Sequence, residues 1–161
     1  MLGQFFAACI GTISFSVIFH VNKKYYPICG LIGGIGWLVY LCCSHVMSVS
    51  EASFLATCFV AFASRAAAIY KRCPVTIFLI SGIFPLVPGA GIYWAAYYLI
   101  HDKSQLFNEA ALNTVKISFA IVLGIILIFE IPQGFFRVIG KCAYNGTLRG
   151  MHTNAKKIDK E

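Results

Sequence analysis

The chain has 161 residues, of which 59% are hydrophobic and only 12% charged, with a mean hydropathy of +0.78. Globular domains carry about 25% charged residues, so a soluble domain is excluded and the length allows about five membrane spans of roughly 20 residues. The net charge of +7 falls in the segments between apolar runs, which ties it to membrane topology and not to nucleic acid.

Residues 2–21 predict a first span, with Gly3, Gly11, Ser14 and Ser16 along it. No Lys or Arg precedes its long apolar run and no small-residue cleavage site follows, so an uncleaved helix is expected. A basic, aromatic turn follows at 22–27, and then a second span over 28–47 that opens GLIGGIG. Gly30 and Gly34 stand in GxxxG register with Gly33 and Gly36 beside them, which predicts a face that a neighbouring helix approaches closely. A third span is expected over 52–70, where Arg65 lies near enough to the end to snorkel to the interface.

The fourth apolar stretch, 74–100, is interrupted in its middle by Pro85, Pro88, Gly89 and Gly91. Proline lacks an N–H and clashes with the preceding turn, so two half-helices of about ten residues are expected to meet near mid-membrane. Non-helical backbone at that depth survives only inside protein or along a watery cavity, and such breaks point to transporter binding sites. The amides of Ala90, Gly91 and Ile92, at the start of the second half, are expected to lack partners and to suit a carboxylate. Carbonyls near Gly82–Pro85 can accept from an ammonium or hydroxyl, and Tyr93 and Trp94 can wall the site. The competing reading is a proline kink that serves packing alone.

The fifth span is expected over 109–131, ending before Pro132. Asn113, Lys116, Ala120 and Gly124 share a helical face, with Lys116 either snorkelling outward or facing a polar cavity. Residues 133–161 form a basic, partly amphipathic tail. Five spans put every Lys and Arg except Lys103 and Lys116 on one side, so the positive-inside rule gives N-terminus out and C-terminus in. The fold class is thus all-α: an integral membrane protein of five helices, the fourth broken, followed by a cytoplasmic tail.

Seven cysteines, none in CxxC spacing, read as small buried hydrophobes. No metal-ligand cluster, P-loop or nucleophile–base–acid set is present, so no cofactor and no metal are expected and a membrane enzyme is the weakest reading.

The stretch PLVPGAGIY, residues 85–93, resembles the Pro-x-x-Pro-Gly-x-x-x-Tyr signature of the threonine/serine exporter (ThrE-type) family. More narrowly it is similar to the five-span half that occurs as a separate small membrane subunit. Supporting matches are FSVIFHVNKKYYP, GLIGGIG and LNTVKISFAIVLGIIL, and the resemblance runs to about Pro132. It implies a multi-pass protein of the bacterial plasma (inner) membrane that exports small amino acids or dicarboxylic acids, driven by the proton gradient. It also implies a partner, a second five-span large subunit, or a homo-oligomer. By that resemblance Pro85, Pro88, Gly89 and Tyr93 carry over as motif positions together with Asn113, while Lys116 and the basic tail depart from the pattern. A scaffold subunit that assembles a transporter without touching substrate is the alternative.

Overall fold

In a bilayer the backbone has no water to bond to, and among the described residues every regular element is a helix. The computed structural model describes residues 2–132. Helix α1 covers Leu2–Ile18, α2 covers Tyr26–Ser44 after a short 3-10 turn at Lys23–Tyr25, and α3 covers Val49–Lys71. Helix α4 (Thr76–Ile83) passes through a 3-10 turn at Phe84–Leu86 to α5 (Gly89–Ile100), and α6 covers Ser104–Glu130. Three segments, Lys23–Ser44, Val49–Lys71 and Ser104–Glu130, are each long and apolar enough to cross a membrane. The bent pair Thr76–Leu86 and Gly89–Ile100 makes a fourth when taken as one span. The chain is a multi-pass membrane protein.

Several boundaries differ from those expected, each for a local backbone reason. Helix α1 stops at Ile18, three residues early, because His20 takes a left-handed conformation (φ 53°) and turns the chain back. The Val21 amide then donates to Ser16 O at 3.0 Å and the His20 amide to Val17 O at 3.0 Å, the Schellman pattern that satisfies the last carbonyls. Arg72 and Asp102 end α3 and α5 by the same device. At 17 residues α1 spans about 25 Å, short of a hydrocarbon core of about 30 Å. Helix α2 starts at Tyr26, ahead of the expected boundary, since Pro27 sits in the first turn where no N–H is needed. Helix α3 starts at Val49 through a capping box: Ser48 N–H donates to Glu51 Oε2 at 3.0 Å and Glu51 N–H to Ser48 Oγ. Helix α6 starts at Ser104, ahead of the boundary expected at Glu109.

Helix α2 packs between α1 and α3, and its glycines set how closely. A Cβ on Gly33 would run into the Thr12 side chain, and one on Gly34 into Cys9 Sγ and the Phe5 ring. Gly36 faces the other way, where a Cβ would meet Val60 Cγ2 of α3. Lipid tails are as apolar as the helices, so this close fit, and not hydrophobic transfer, holds α1, α2 and α3 together. The GxxxG face expected from the sequence is therefore a real interface within the chain. Helix α3 carries on to α6, where Gly124 lies against Thr57 and the Phe54 carbonyl. Helix α5 rests on α6 alone among the main packings and has no buried residue. Arg65, expected to snorkel, is instead buried at 7% exposure between α3 and α6. The tail expected over 133–161 lies outside the described residues.

Candidate functional site

The interruption between α4 and α5 is built by its prolines, one hydrogen bond at a time. Pro85 cannot donate to Ser81 O, and the chain tightens into the 3-10 turn, closed by Val87 N–H donating to Phe84 O at 3.2 Å. Val87 is extended (φ −61°, ψ 130°), as the residue before a proline prefers. Pro88 (φ −77°, ψ 54°) centres an inverse γ-turn, with Gly89 N–H donating to Val87 O at 2.7 Å. Helix α5 then begins, its axis bent by 49° from the preceding half.

One expectation about this turn is corrected. The Ile92 amide is not open, because it donates to Pro88 O at 3.2 Å, the first intrahelical bond of α5. That leaves Ala90 and Gly91 as the amides without a partner among the described residues. Gly91 has a second reason to be glycine: a Cβ there would run into Thr114 Oγ1 of α6.

The break forms one wall of a cavity of about 230 Å³. Pro85, Pro88, Gly89, Ala90 and Gly91 line it. The opposite walls were not anticipated: Trp37 and Tyr40 from α2, Val49 and Ser53 from α3, and Ile117 from α6. Ser53 is 2% exposed and its hydroxyl donates back to Val49 O at 2.7 Å, leaving oxygen lone pairs that can accept. Its lining residues are thus a serine, a tyrosine, a tryptophan, the two residues with open amides and otherwise apolar groups. No Asp, Glu, Lys, Arg or His is among its lining residues.

A second, larger groove of about 290 Å³ lies on the other side of the same wall. Ala7, Ala8 and Gly11 of α1 form its floor, and Phe84 and Pro85 its far side. The stacked rings of Phe15 and Phe84, 3.6 Å apart at their centres, close one end. Trp37 and Pro85 line both spaces.

Three of the expected site residues stand elsewhere. Tyr93 is 62% exposed and belongs to an aromatic ladder along α5, with Trp94 at 5.5 Å and Tyr97 at 6.5 Å between ring centres. Asn113 and Lys116 are exposed on α6, whose packed stripe instead runs through Thr114, Ile117, Ile121 and Gly124. Lys116 is turned about 100° around the helix from the cavity-lining Ile117. Ser53 and Trp37 carried no sequence signal beyond a small residue and an aromatic, because neither lies near the break along the chain.

A sequence model of the family described as "Threonine/Serine exporter, ThrE" matches residues 4–131. An uncharacterized protein of Haemophilus influenzae is 26% identical over 129 residues, covering 74% of this chain and 43% of that protein. The chain thus spans less than half the length of that relative. No solved structure matches the chain.

Proposed function

The chain belongs to the threonine/serine exporter family, and from that premise we propose that it is one subunit of a secondary transporter in the bacterial plasma membrane. Its cargo is a small amino acid of the threonine or serine kind, or a dicarboxylic acid, moved outward at the expense of the proton gradient. Five crossings serve that role: α1, α2, α3, the α4–α5 pair as one broken span, and α6, with the N-terminus outside. The one-sided distribution of Lys and Arg supports this orientation, and a re-entrant α4–α5 hairpin would set the basic tail against it. Phe19–Val21 lengthens the reach of α1, and local bilayer thinning covers the remainder at modest cost.

The observation that carries the reading is an interrupted helix whose prolines and glycines line a cavity of amino-acid size. The Ala90 and Gly91 amides, at the positive end of α5, hold the substrate carboxylate. The Ser53 and Tyr40 hydroxyls serve the hydroxyl or amino end. Tyr93, Asn113 and Lys116 are not among the residues that line this cavity and are left outside the binding set.

The test is counterflow of labelled threonine, serine and a dicarboxylic acid in proteoliposomes, for the parent protein and for Pro88→Ala with Gly89→Ala. Alanines there favour a continuous helix and close the open amides into i→i−4 bonds. Exchange should fall about tenfold or more, a loss of about 1.4 kcal/mol or more of binding, with assembly and expression retained. A packing-only kink, which the fit of Gly91 on Thr114 favours, predicts impaired assembly with exchange scaling to the surviving complex. Normal exchange in the double variant removes the binding-site reading.

A further inference from the structure

In a membrane helix a serine or threonine hydroxyl has a partner within reach, the carbonyl oxygen four residues before it. Thr12, Ser16, Ser53 and Ser81 donate to that carbonyl at 2.7–3.2 Å. Thr57 and Ser64 of α3 do not. Both residues are 0% exposed, and neither hydroxyl has a hydrogen-bond partner among the described residues. A buried hydroxyl without a partner lowers stability, and valine or alanine would fill the same places without that loss.

The two hydroxyls share one face of α3. Val60 meets Gly82 of α4, while Cys58 and Arg65 bond to carbonyl oxygens of α6, at Gly124 and Phe129. At about 100° per residue, Thr57 falls between these two faces, about 60° from Val60 and about 100° from Cys58. Ser53, Ala61, Ser64 and Ala68 stand within about 40° of Thr57 around the helix, and all are buried. A strip of small and hydroxyl side chains therefore runs down α3 between α4 and α6. It begins at Ser53 in the cavity wall and reaches Ala68 about 22 Å further on, near the Lys71 end of the helix.

Helices α4 and α6 both pack on α3 but make no substantial contact with one another. A gap between them can widen without breaking an interface of their own. The strip on their shared floor carries no charged side chain. Its hydroxyls donate and accept, so they can stand in for water around a polar cargo without holding it as a charge would.

We infer that the Ser53–Thr57–Ser64 strip is the inward half of the transport path, closed in this structure. In the state open to the cytoplasm α4 and α6 part, water bonds to Thr57 and Ser64, and cargo passes along α3 to the cavity at the break. The missing partners of the two hydroxyls are thus supplied by the other state of the cycle. The inference rests on the transporter reading above and adds the route by which cargo enters. A strip that serves packing alone leaves both hydroxyls unpaired in every state.

The experiment uses inside-out vesicles from cells that make the whole exporter, with this chain free of cysteine except at Thr57→Cys, Ser64→Cys or Ala56→Cys. Ala56 is equally buried but stands about 100° around α3 from Thr57, off the strip. A small cationic methanethiosulfonate added at the cytoplasmic face should modify the cysteines at 57 and 64 and spare the one at 56. Threonine, serine or a dicarboxylic acid in excess should slow that reaction. Failure to modify either strip position, equal reaction at 56, reaction from the outer face alone, or rates indifferent to all three cargoes overturns the inference. In parallel, Thr57→Val and Ser64→Ala should melt at or above the temperature of the parent, yet export should fall about tenfold through the lost hydrogen bond to water in the open path. Full export overturns the inference, and so does a lowered melting temperature, which marks the hydroxyls as structural. Labelling is read without transport. A parent without counterflow therefore removes the transporter reading, whereas normal counterflow with unreactive cysteines removes the path alone.

Discussion

The guanidinium of Arg65 in α3 donates to the carbonyl oxygen of Phe129 in α6 at 3.3 Å, and its central carbon lies 5.5 Å from the centre of the Phe129 ring. The same nitrogen donates to Ile128 O. The last carbonyls of α6 have no intrahelical donors and form the negative end of its dipole, so a buried cation here is satisfied by backbone. The arginine cross-links the two longest helices at the end where the basic tail begins.

Arg65→Ala should therefore lower stability in detergent by about 1.5–3 kcal/mol, the usual loss for a hydrogen bond to a charged group. Phe129→Leu keeps both carbonyls and should cost only about 0.5–1 kcal/mol through the lost ring contact. Thermal unfolding of the two variants measures the difference. Equal melting of Arg65→Ala and the parent would show that the contact adds nothing.

Gly36 and Val60 offer a cleaner probe of packing between α2 and α3. A Cβ on Gly36 collides with Val60 Cγ2 but would stand 3.9 Å from Val60 Cβ. Gly36→Ala should destabilise, Val60→Ala should leave a small cavity, and the pair together should be more stable than the sum of the two losses. A double-mutant cycle with a coupling of about 0.5 kcal/mol or more in that direction supports the fit. Strict additivity rejects it.

Gly91 and Thr114 separate packing from substrate contact at the break. Gly91→Ala keeps the backbone amide but drives a methyl into Thr114 Oγ1, so assembly and exchange should both drop. Adding Thr114→Ala leaves its Cβ 3.4 Å away, an ordinary contact, and should restore both. Recovery of assembly without exchange would place Thr114 itself in the binding chemistry.

Topology is read by single-cysteine labelling in a cysteine-free background. Lys103→Cys, after the left-handed Asp102, should react with an impermeant maleimide from outside, and Lys24→Cys only from the cytoplasm. Cys142, outside the described residues, should behave like Lys24→Cys. Labelling of Lys103→Cys from the cytoplasmic side would make α4 and α5 a re-entrant hairpin.

What the sequence determined by itself is what local backbone chemistry decides. Prolines at 85 and 88 remove amides wherever the chain lies, so the interruption and its two half-helices were legible before any packing was known. The GLIGGIG face was legible for a similar reason: a residue without a Cβ permits close approach whichever helix arrives. Tertiary structure decided everything that depends on which partner arrives. It set Thr12, Cys9 and Val60 against those glycines, and brought Trp37, Tyr40 and Ser53 to the break from up to about fifty residues away. It turned Lys116 away from the cavity, because helical periodicity groups residues by face but does not say which face is covered. Arg65 shows the same limit most plainly. Its distance from the helix end suggested a side chain reaching for water, and only the position of the α6 terminus made burial against carbonyls the better solvation.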